Sequence, residues 1–256
     1  MTKKNTKNVI VLLSGGLDSS TLAYLASKSH GPHNKNKVYT LTFDYGQRHR
    51  KESRSAFQIS QKIGSVSHKI VKFDLTSFGG SSLTDKKLKI PLNRRLHNSD
   101  LIAKSIPNTY VPARNTIFLS FALAYAEVIQ ASEVYIGVNS IDYSGYVDCR
   151  PVFIQKFQEL CRVATTSGVD GKVAKIKTPL INKTKDQIIK LGQKLGVDWA
   201  STWSCYMGNK LACGLCDSCQ LRLAGFMRAG IKDPLRYKNY PEFYKNFLKS
   251  LNQSAA

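Results

Sequence analysis

The sequence predicts an α/β fold with a doubly wound, mostly parallel sheet, and three observations carry that prediction. The chain opens on the β-branched run Val9-Ile10-Val11-Leu12-Leu13, which suits a strand buried on both faces. Two glycines and a stretch with helical spacing follow at once. Further along, short apolar runs alternate with longer helical patterns, as in parallel sheets with crossover helices.

The elements are expected in this order. The first strand covers residues 9–13 and the first helix residues 19–27, with Gly15 and Gly16 in the turn between them. Residues 38–43 read as a second strand, and residues from about 50 to 63 as a helix. A strand follows near residues 69–73. Residues 78–107 are polar, basic and poor in periodicity, and are expected to form a long insertion loop acting as a lid. Residues 116–131 suit a long helix, 133–138 a strand, and about 185–196 another helix. A cysteine-rich segment and a terminal helix rich in Tyr, Phe and Lys close the chain. The expected division is a nucleotide-binding domain at 1–200 and a metal-binding segment at 201–256, with no internal repeat.

In such sheets ligands bind beyond the carboxyl ends of the strands, where the first loop lies. Its glycines let the backbone approach a ligand, and the unpaired N–H groups of the following helix carry positive potential. That combination suits a phosphate. Ser14, Ser19 and Ser20 add hydroxyls, while Asp18 is placed to hold a metal ion or to cap the helix. A lone Ser-Gly-Gly also makes a plain strand-to-helix turn, so the loop alone does not decide.

The formal net charge is +21, from 38 Lys and Arg against 17 Asp and Glu. Such a charge invites a nucleic-acid partner. Apart from Arg94-Arg95, however, the lysines are scattered (Lys35, Lys37, Lys86, Lys87, Lys89), with no basic helix and no aromatic RNA-binding signature. The first reading is therefore a solvated basic surface that draws in an anionic nucleotide, with no nucleic acid bound. The polar start and the lack of an apolar span exclude a membrane helix and point to the cytoplasm.

Disulfides are uncommon there, so the six cysteines read as metal ligands or ordinary thiols. The stretch "CYMGNKLACGLCDSC" brings together Cys205, Cys213, Cys216 and Cys219. Four thiolates on a loop and knuckles can close a tetrahedral shell around one structural Zn²⁺; an iron–sulfur cluster is the alternative. A closed shell leaves no open position, so the metal would contribute folding energy and would not activate water. Cys149 and Cys161 stand outside this group.

These residues resemble the 7-cyano-7-deazaguanine synthases, a family within the PP-loop superfamily. "SGGLDS" at 14–19 matches the PP-loop, the mark of enzymes that cleave ATP between the α- and β-phosphates. More specific matches are "FDYGQRH" at 43–49, "VPARN" at 111–115, "GVNSIDYSGYVDCRP" at 137–151, "TPLINKTK" at 178–185, "TWSCY" at 202–206 and "CDSCQLR" at 216–222. Val147 departs from the family's Gly-Tyr-Pro-Asp-Cys, which touches the rigidity of that loop and not the chemistry.

The resemblance implies a ligase that forms C–N bonds. It would convert 7-carboxy-7-deazaguanine and ammonia, with Mg-ATP, to 7-cyano-7-deazaguanine in queuosine biosynthesis, working as a homodimer with one structural zinc per chain. It places ATP on Leu13 to Ala23: the backbone of Gly15, Gly16 and Leu17 with Ser14, Ser19 and Ser20 at the phosphates, Thr21 and Leu22 beyond, and Mg²⁺ near Asp18. Lys183 and Arg114 are the expected phosphate cations. For the base, a carboxylate accepts from both donors of a guanine-like edge, and Asp142 and Asp148 are the two candidates, one of them capping a turn. Tyr143 or Tyr146 would stack on the ring and Arg150 would pair with the substrate carboxylate. A tRNA-thiolating PP-loop enzyme would also adenylate its substrate, but it needs a persulfide-carrying thiol and an RNA-binding appendage. A nucleotide-binding scaffold need not keep the Asp-bearing segment.

Overall fold

In the computed structural model, which describes residues 6–28, 36–48, 51–94, 106–141 and 146–253, the first apolar run forms strand β1 (Asn8–Leu12) at the centre of a sheet. Val9, Ile10 and Val11 are fully buried, as a strand covered on both faces requires. Their side chains alternate between two apolar clusters: Val9, Val11 and Leu13 enter one, Ile10 and Leu12 the other.

β2 (Lys37–Asp44), β3 (Ser67–Lys72), β4 (Glu133–Tyr135) and β5 (Lys175–Lys177) complete a five-stranded sheet in the order β3-β2-β1-β4-β5. Every pairing is parallel. The order reverses at β1, so the crevice between the carboxyl ends of β1 and β4 is the topological switch point.

The helices divide between the faces. On one side lie α1 (Leu17–Lys28), α2 (Lys51–Lys62), α6 (Lys185–Leu195), α7 (Asp217–Ala229) and the terminal α8 (Glu242–Gln253). On the other are α3 (Arg114–Val128) and α4 (Pro151–Val163), followed by the single turn α5 (Thr166–Val169). The first cluster runs without a break from Val9 through Cys205 and Leu223 to Tyr244, so the cysteine segment and the last helix share the apolar core of β1. No helix among the described residues is long and apolar enough to cross a membrane.

Three features differ from expectation. One part of the stretch 78–107 is packed into the fold. Ser81, Ser82, Leu83 and Thr84 are buried, Arg48 donates to the carbonyls of Asp85 and Leu88 at 2.5 Å each, and Leu92 pairs with Cys216. Side chains satisfy its backbone groups, so no periodic signal betrays the packing; residues 95–105 of this stretch lie outside the described residues. Helix α4 has no counterpart in the sequence reading, although Pro151 stands at its first turn, where proline is favoured. β5 escapes too, because Lys-Ile-Lys at a sheet edge offers one apolar residue. Its outer side is blunted by Gln158, which accepts from Ile176 N at 2.7 Å and donates to Ala174 O at 3.2 Å.

Candidate active site and metal centre

The loop after β1 is built around its two glycines, and they do different things. Gly15 has φ +81, and a Cβ there would stand 2.5 Å from both Ala56 N and Glu52 O. It is the contact that lets α2 close against the loop. Gly16 has only Ser14 Oγ at 3.3 Å and Trp203 O at 3.6 Å. The hydroxyls are organised locally: Ser14 and Ser19 share a hydrogen bond at 2.9 Å, and Ser19 Oγ donates to Gly16 O at 3.2 Å. Gly137, after β4, passes so close that a Cβ would meet Ser19 N at 3.3 Å. The two strand ends thus frame the start of α1.

A cleft opens over these ends. Ser14, Gly16, Leu17, Asp18 and Ser19 line it from the loop, as expected, and Leu13 from the strand end. Besides Gly15, four expected nucleotide contacts lie off the cleft lining. Ser20 is fully buried with its Oγ unpartnered, Thr21 bonds back to Leu17 O at 3.0 Å, and Leu22 and Ala23 belong to the core. These four are turned away because a helix presents only one side of its first turn to a ligand. Gly15 faces α2 and not the cleft.

The lysine that lines the cleft at this end is Lys185. Lys183 precedes α6, outside the cleft lining, and its carbonyl accepts from Asn139 Nδ2. Lys185 opens α6 behind the Thr184–Gln187 capping box and places Nζ 2.8 Å from each oxygen of Asp18. Asp18 therefore orients an ammonium beside the loop.

The opposite side of the cleft is aromatic. Phe43, Tyr45, Phe118, Tyr146 and Tyr206 line it, and Phe43 and Phe118 stack at 4.0 Å between centroids. Tyr146, an expected substrate contact, is here, its hydroxyl 2.9 Å from Thr109 Oγ1. Arg114 lines the same side from the first turn of α3, which follows Ala113 in the left-handed region at φ 54. Neighbouring Tyr45, Tyr146, Asp148 and Cys149 outweigh the cost of burial and hold the guanidinium protonated.

Glu52, at the start of α2, also lines the cleft; burial pushes its carboxyl up to about 8, opposed by Arg114. Burial likewise pushes the Cys149 thiol up to about 11. Sequence reasoning missed Glu52, Lys185 and Tyr45, although Tyr45 lies inside the quoted "FDYGQRH" and Lys185 ends "TPLINKTK".

Two more of the expected substrate contacts lie off the cleft lining. Asp148 is buried, accepting from Asn115 N at 3.0 Å while its own carbonyl accepts from Asn115 Nδ2 at 3.0 Å. It takes up an N–H that the start of α3 leaves unpaired. Arg150 is exposed before α4 and does not line the cleft. Asp142 and Tyr143 lie outside the described residues.

Four cysteines that could hold a metal stand beside the cleft. The Sγ atoms of Cys205, Cys213, Cys216 and Cys219 all lie within 4.8 Å of one another, with 3.9 Å between Cys213 and Cys219. Backbone N–H groups of Met207 and Cys213 point at Cys205 Sγ, and those of Leu215 and Cys216 at Cys213 Sγ, as thiolates require. Around one tetrahedral ion with a Zn–S bond of about 2.3 Å, sulfurs stand about 3.8 Å apart, so the four fit a single metal. The centre is joined to the cleft: Trp203 N donates to Gly15 O at 2.9 Å, and Ser204, Tyr206 and Ser218 line the cavity.

A parallel sheet whose switch point carries a Ser-Gly-Gly-Leu-Asp-Ser turn defines an α/β protein of the PP-loop class. The family model for the queuosine biosynthesis protein QueC matches residues 8–230. A 7-cyano-7-deazaguanine synthase of a Nostoc species is 55% identical over 228 residues, 89% of this chain and 96% of the relative. The one from Saccharophagus degradans is 50% identical, over 92% of this chain and all of the relative. The chain belongs to the QueC family, and it is an enzyme. Among solved structures, a tRNA thiolase of Methanococcus maripaludis with a 4Fe–4S cluster superposes with a TM-score of 0.45 at 16% identity, covering 98% of this chain and 73% of its own.

Proposed function

We propose that this enzyme converts 7-carboxy-7-deazaguanine and ammonia to 7-cyano-7-deazaguanine at the expense of two ATP. The observation that carries the reading is a single cleft with two unlike ends: a phosphate-binding turn with an oriented Lys185, and an aromatic wall with Arg114. Its relatives bear the name of that activity.

A carboxylate oxygen leaves poorly. It first attacks the α-phosphorus of ATP, the bond to the β-phosphate breaks, and pyrophosphate departs with the electron pair. Ammonia adds to the acyl adenylate and loses a proton, and AMP leaves to give the amide. The amide oxygen then attacks a second ATP, pyrophosphate leaves again, and loss of AMP together with both protons of the amide nitrogen gives the nitrile. The backbone at Gly16 and Leu17, with Ser14, Ser19 and Lys185, offsets the charge that develops on pyrophosphate. Mg²⁺ enters with ATP as its complex.

The four thiolates hold one Zn²⁺ in this reading. Their mutual distances favour one ion over a cluster, in which each thiolate binds a different iron and must stand further from the rest. The ion supplies folding energy and holds Trp203 and Ser204 against the loop. A cytoplasmic homodimer completes the proposal.

The test is mass spectrometry of a reaction containing purified protein, Mg-ATP, ammonium and 7-carboxy-7-deazaguanine. Nitrile with two AMP and two pyrophosphate per turnover is expected. AMP without nitrile, or no AMP, overturns the proposal.

A further inference from the structure

Buried cations cost free energy unless a counter-charge or hydrogen-bond acceptor meets them. Two that line the cleft have found one: Lys185 holds Asp18, and Arg222 is bidentate to Asp233 at 2.7 and 2.8 Å. Arg114 differs. It forms no ion pair among the described residues, and its Nε is buried without an acceptor. The nearby Asp148 carboxylate, whose charge acts on Arg114, gives Oδ2 to Asn115 N and makes no salt bridge to the guanidinium. Its hydrogen-bonding neighbour is the Tyr45 phenol, and the Phe118 ring lies 5.9 Å from the guanidinium carbon.

The position matters as much as the missing partner. The PP-loop and Lys185 belong to the α1 and α6 side of the sheet, whereas Arg114 starts α3 on the opposite side, among Phe43, Tyr45 and Tyr146. An anion at Arg114 therefore sits beside flat aromatic walls and away from the oriented phosphate end. A carboxylate conjugated to a planar ring fits that description, because it lies in the ring plane and meets a planar guanidinium with two parallel hydrogen bonds.

Resting on the reading above, we propose that Arg114 is the residue that binds the carboxylate of 7-carboxy-7-deazaguanine, the role expected of the exposed Arg150, and that it is not a phosphate ligand. One carboxylate oxygen stays on the guanidinium while the other attacks the α-phosphorus, and the pyrophosphate bond breaks with its electron pair leaving on pyrophosphate. After the first half-reaction the substrate is a neutral amide, and the charge that Arg114 recognises is gone. Arg114 thereby selects the acid for the first adenylation and contributes little to the second.

The experiment compares wild type with Arg114→Gln and Arg114→Lys by calorimetric binding of 7-carboxy-7-deazaguanine, of its 7-carbamoyl analogue and of Mg-ATP, and by turnover of both substrates. In Arg114→Gln, acid affinity and kcat/KM on the acid fall about 10- to 100-fold, the size of a lost charge-assisted pair. ATP affinity and kcat/KM on the amide stay within about threefold, and Arg114→Lys falls between. Loss of acid affinity with ATP affinity and amide turnover retained is the pattern that a merely structural arginine would not give.

Equal loss of ATP affinity makes Arg114 a phosphate ligand and overturns the proposal, as does unchanged acid affinity or equal loss on acid and amide. If Arg114→Gln does not fold, Arg114→Lys decides on the same acid-to-amide ratio. Should wild type itself bind no acid, the functional reading falls and takes this assignment with it; should wild type bind and the variant bind equally, only the assignment falls.

Discussion

Replacing Gly15 by Ala tests the division of labour between the two loop glycines. The left-handed backbone at φ +81 costs an alanine about 1–2 kcal/mol. The added Cβ lands 2.5 Å from Ala56 N and Glu52 O, backbone atoms of α2 that cannot swing aside as a side-chain tip could. Overpacking of this kind adds about 1–3 kcal/mol. The sum is about 2–5 kcal/mol, which at roughly 2 °C per kcal/mol for a chain of this size lowers Tm by about 4–10 °C. Gly16→Ala meets only Ser14 Oγ at 3.3 Å and Trp203 O at 3.6 Å, so its cost in stability is under about 1 kcal/mol while nucleotide affinity falls. Scanning calorimetry of both variants, with ATP titrations, separates the two effects. A Gly15→Ala protein melting within 2 °C of wild type, or a Gly16→Ala protein that loses stability and keeps its ATP affinity, would refute the reasoning.

Other perturbations have equally definite outcomes. Asp233→Asn leaves the buried Arg222 guanidinium without its carboxylate and should cost about 3–5 kcal/mol in urea unfolding, whereas an Arg222→Met, Asp233→Leu double variant should recover part of it. Metal analysis should find one zinc per chain; chelation, or Cys216→Ser, should lower Tm and raise hydrogen exchange at Leu92, Asn93 and Trp203, which lean on the four cysteines, and several irons with inorganic sulfide in place of one zinc contradict the single-ion geometry. His68 on β3 is held below the ordinary histidine range by burial, with Nδ1 2.8 Å from Thr40 Oγ1 and Nε2 unpartnered. The unfolded chain thus binds its proton more readily, so the stability this residue contributes is complete above about pH 6.5 and declines as pH falls through that value. His68→Leu should flatten that part of the pH–stability curve, and an unchanged slope between pH 5 and pH 7 counts against a buried neutral imidazole.

The parts of the site legible in the sequence are those whose signal is local. Gly15 and Gly16 announce a turn because only such residues relax the backbone there, and four cysteines in one short stretch announce a metal because their spacing closes a shell. Arg114 and Tyr146 were reachable as polar residues in motif-like segments and do line the cleft. Asp148 could not be separated from Asp142 by inspection, since a carboxylate that caps a helix and one that binds a base look alike until the α3 start is seen beside it. Lys183 and Lys185 show the same limit: two residues apart, they point in different directions because Thr184 caps the helix between them, and Lys185 alone turns into the cleft.

By itself the sequence determined the strand–turn–helix at the amino terminus, the alternating pattern that makes a parallel sheet, the thiol cluster and the family. These rest on periodicity and spacing, which are properties of neighbouring residues. Only the tertiary structure decided that Asp18 meets Lys185, 167 residues away, that Glu52 and Arg114 share a wall, and that the metal loop leans on Gly15. A single charged side chain carries no periodic signal. Its partner is chosen by where the helices come to rest on the sheet, and that is settled by burying both apolar faces at once.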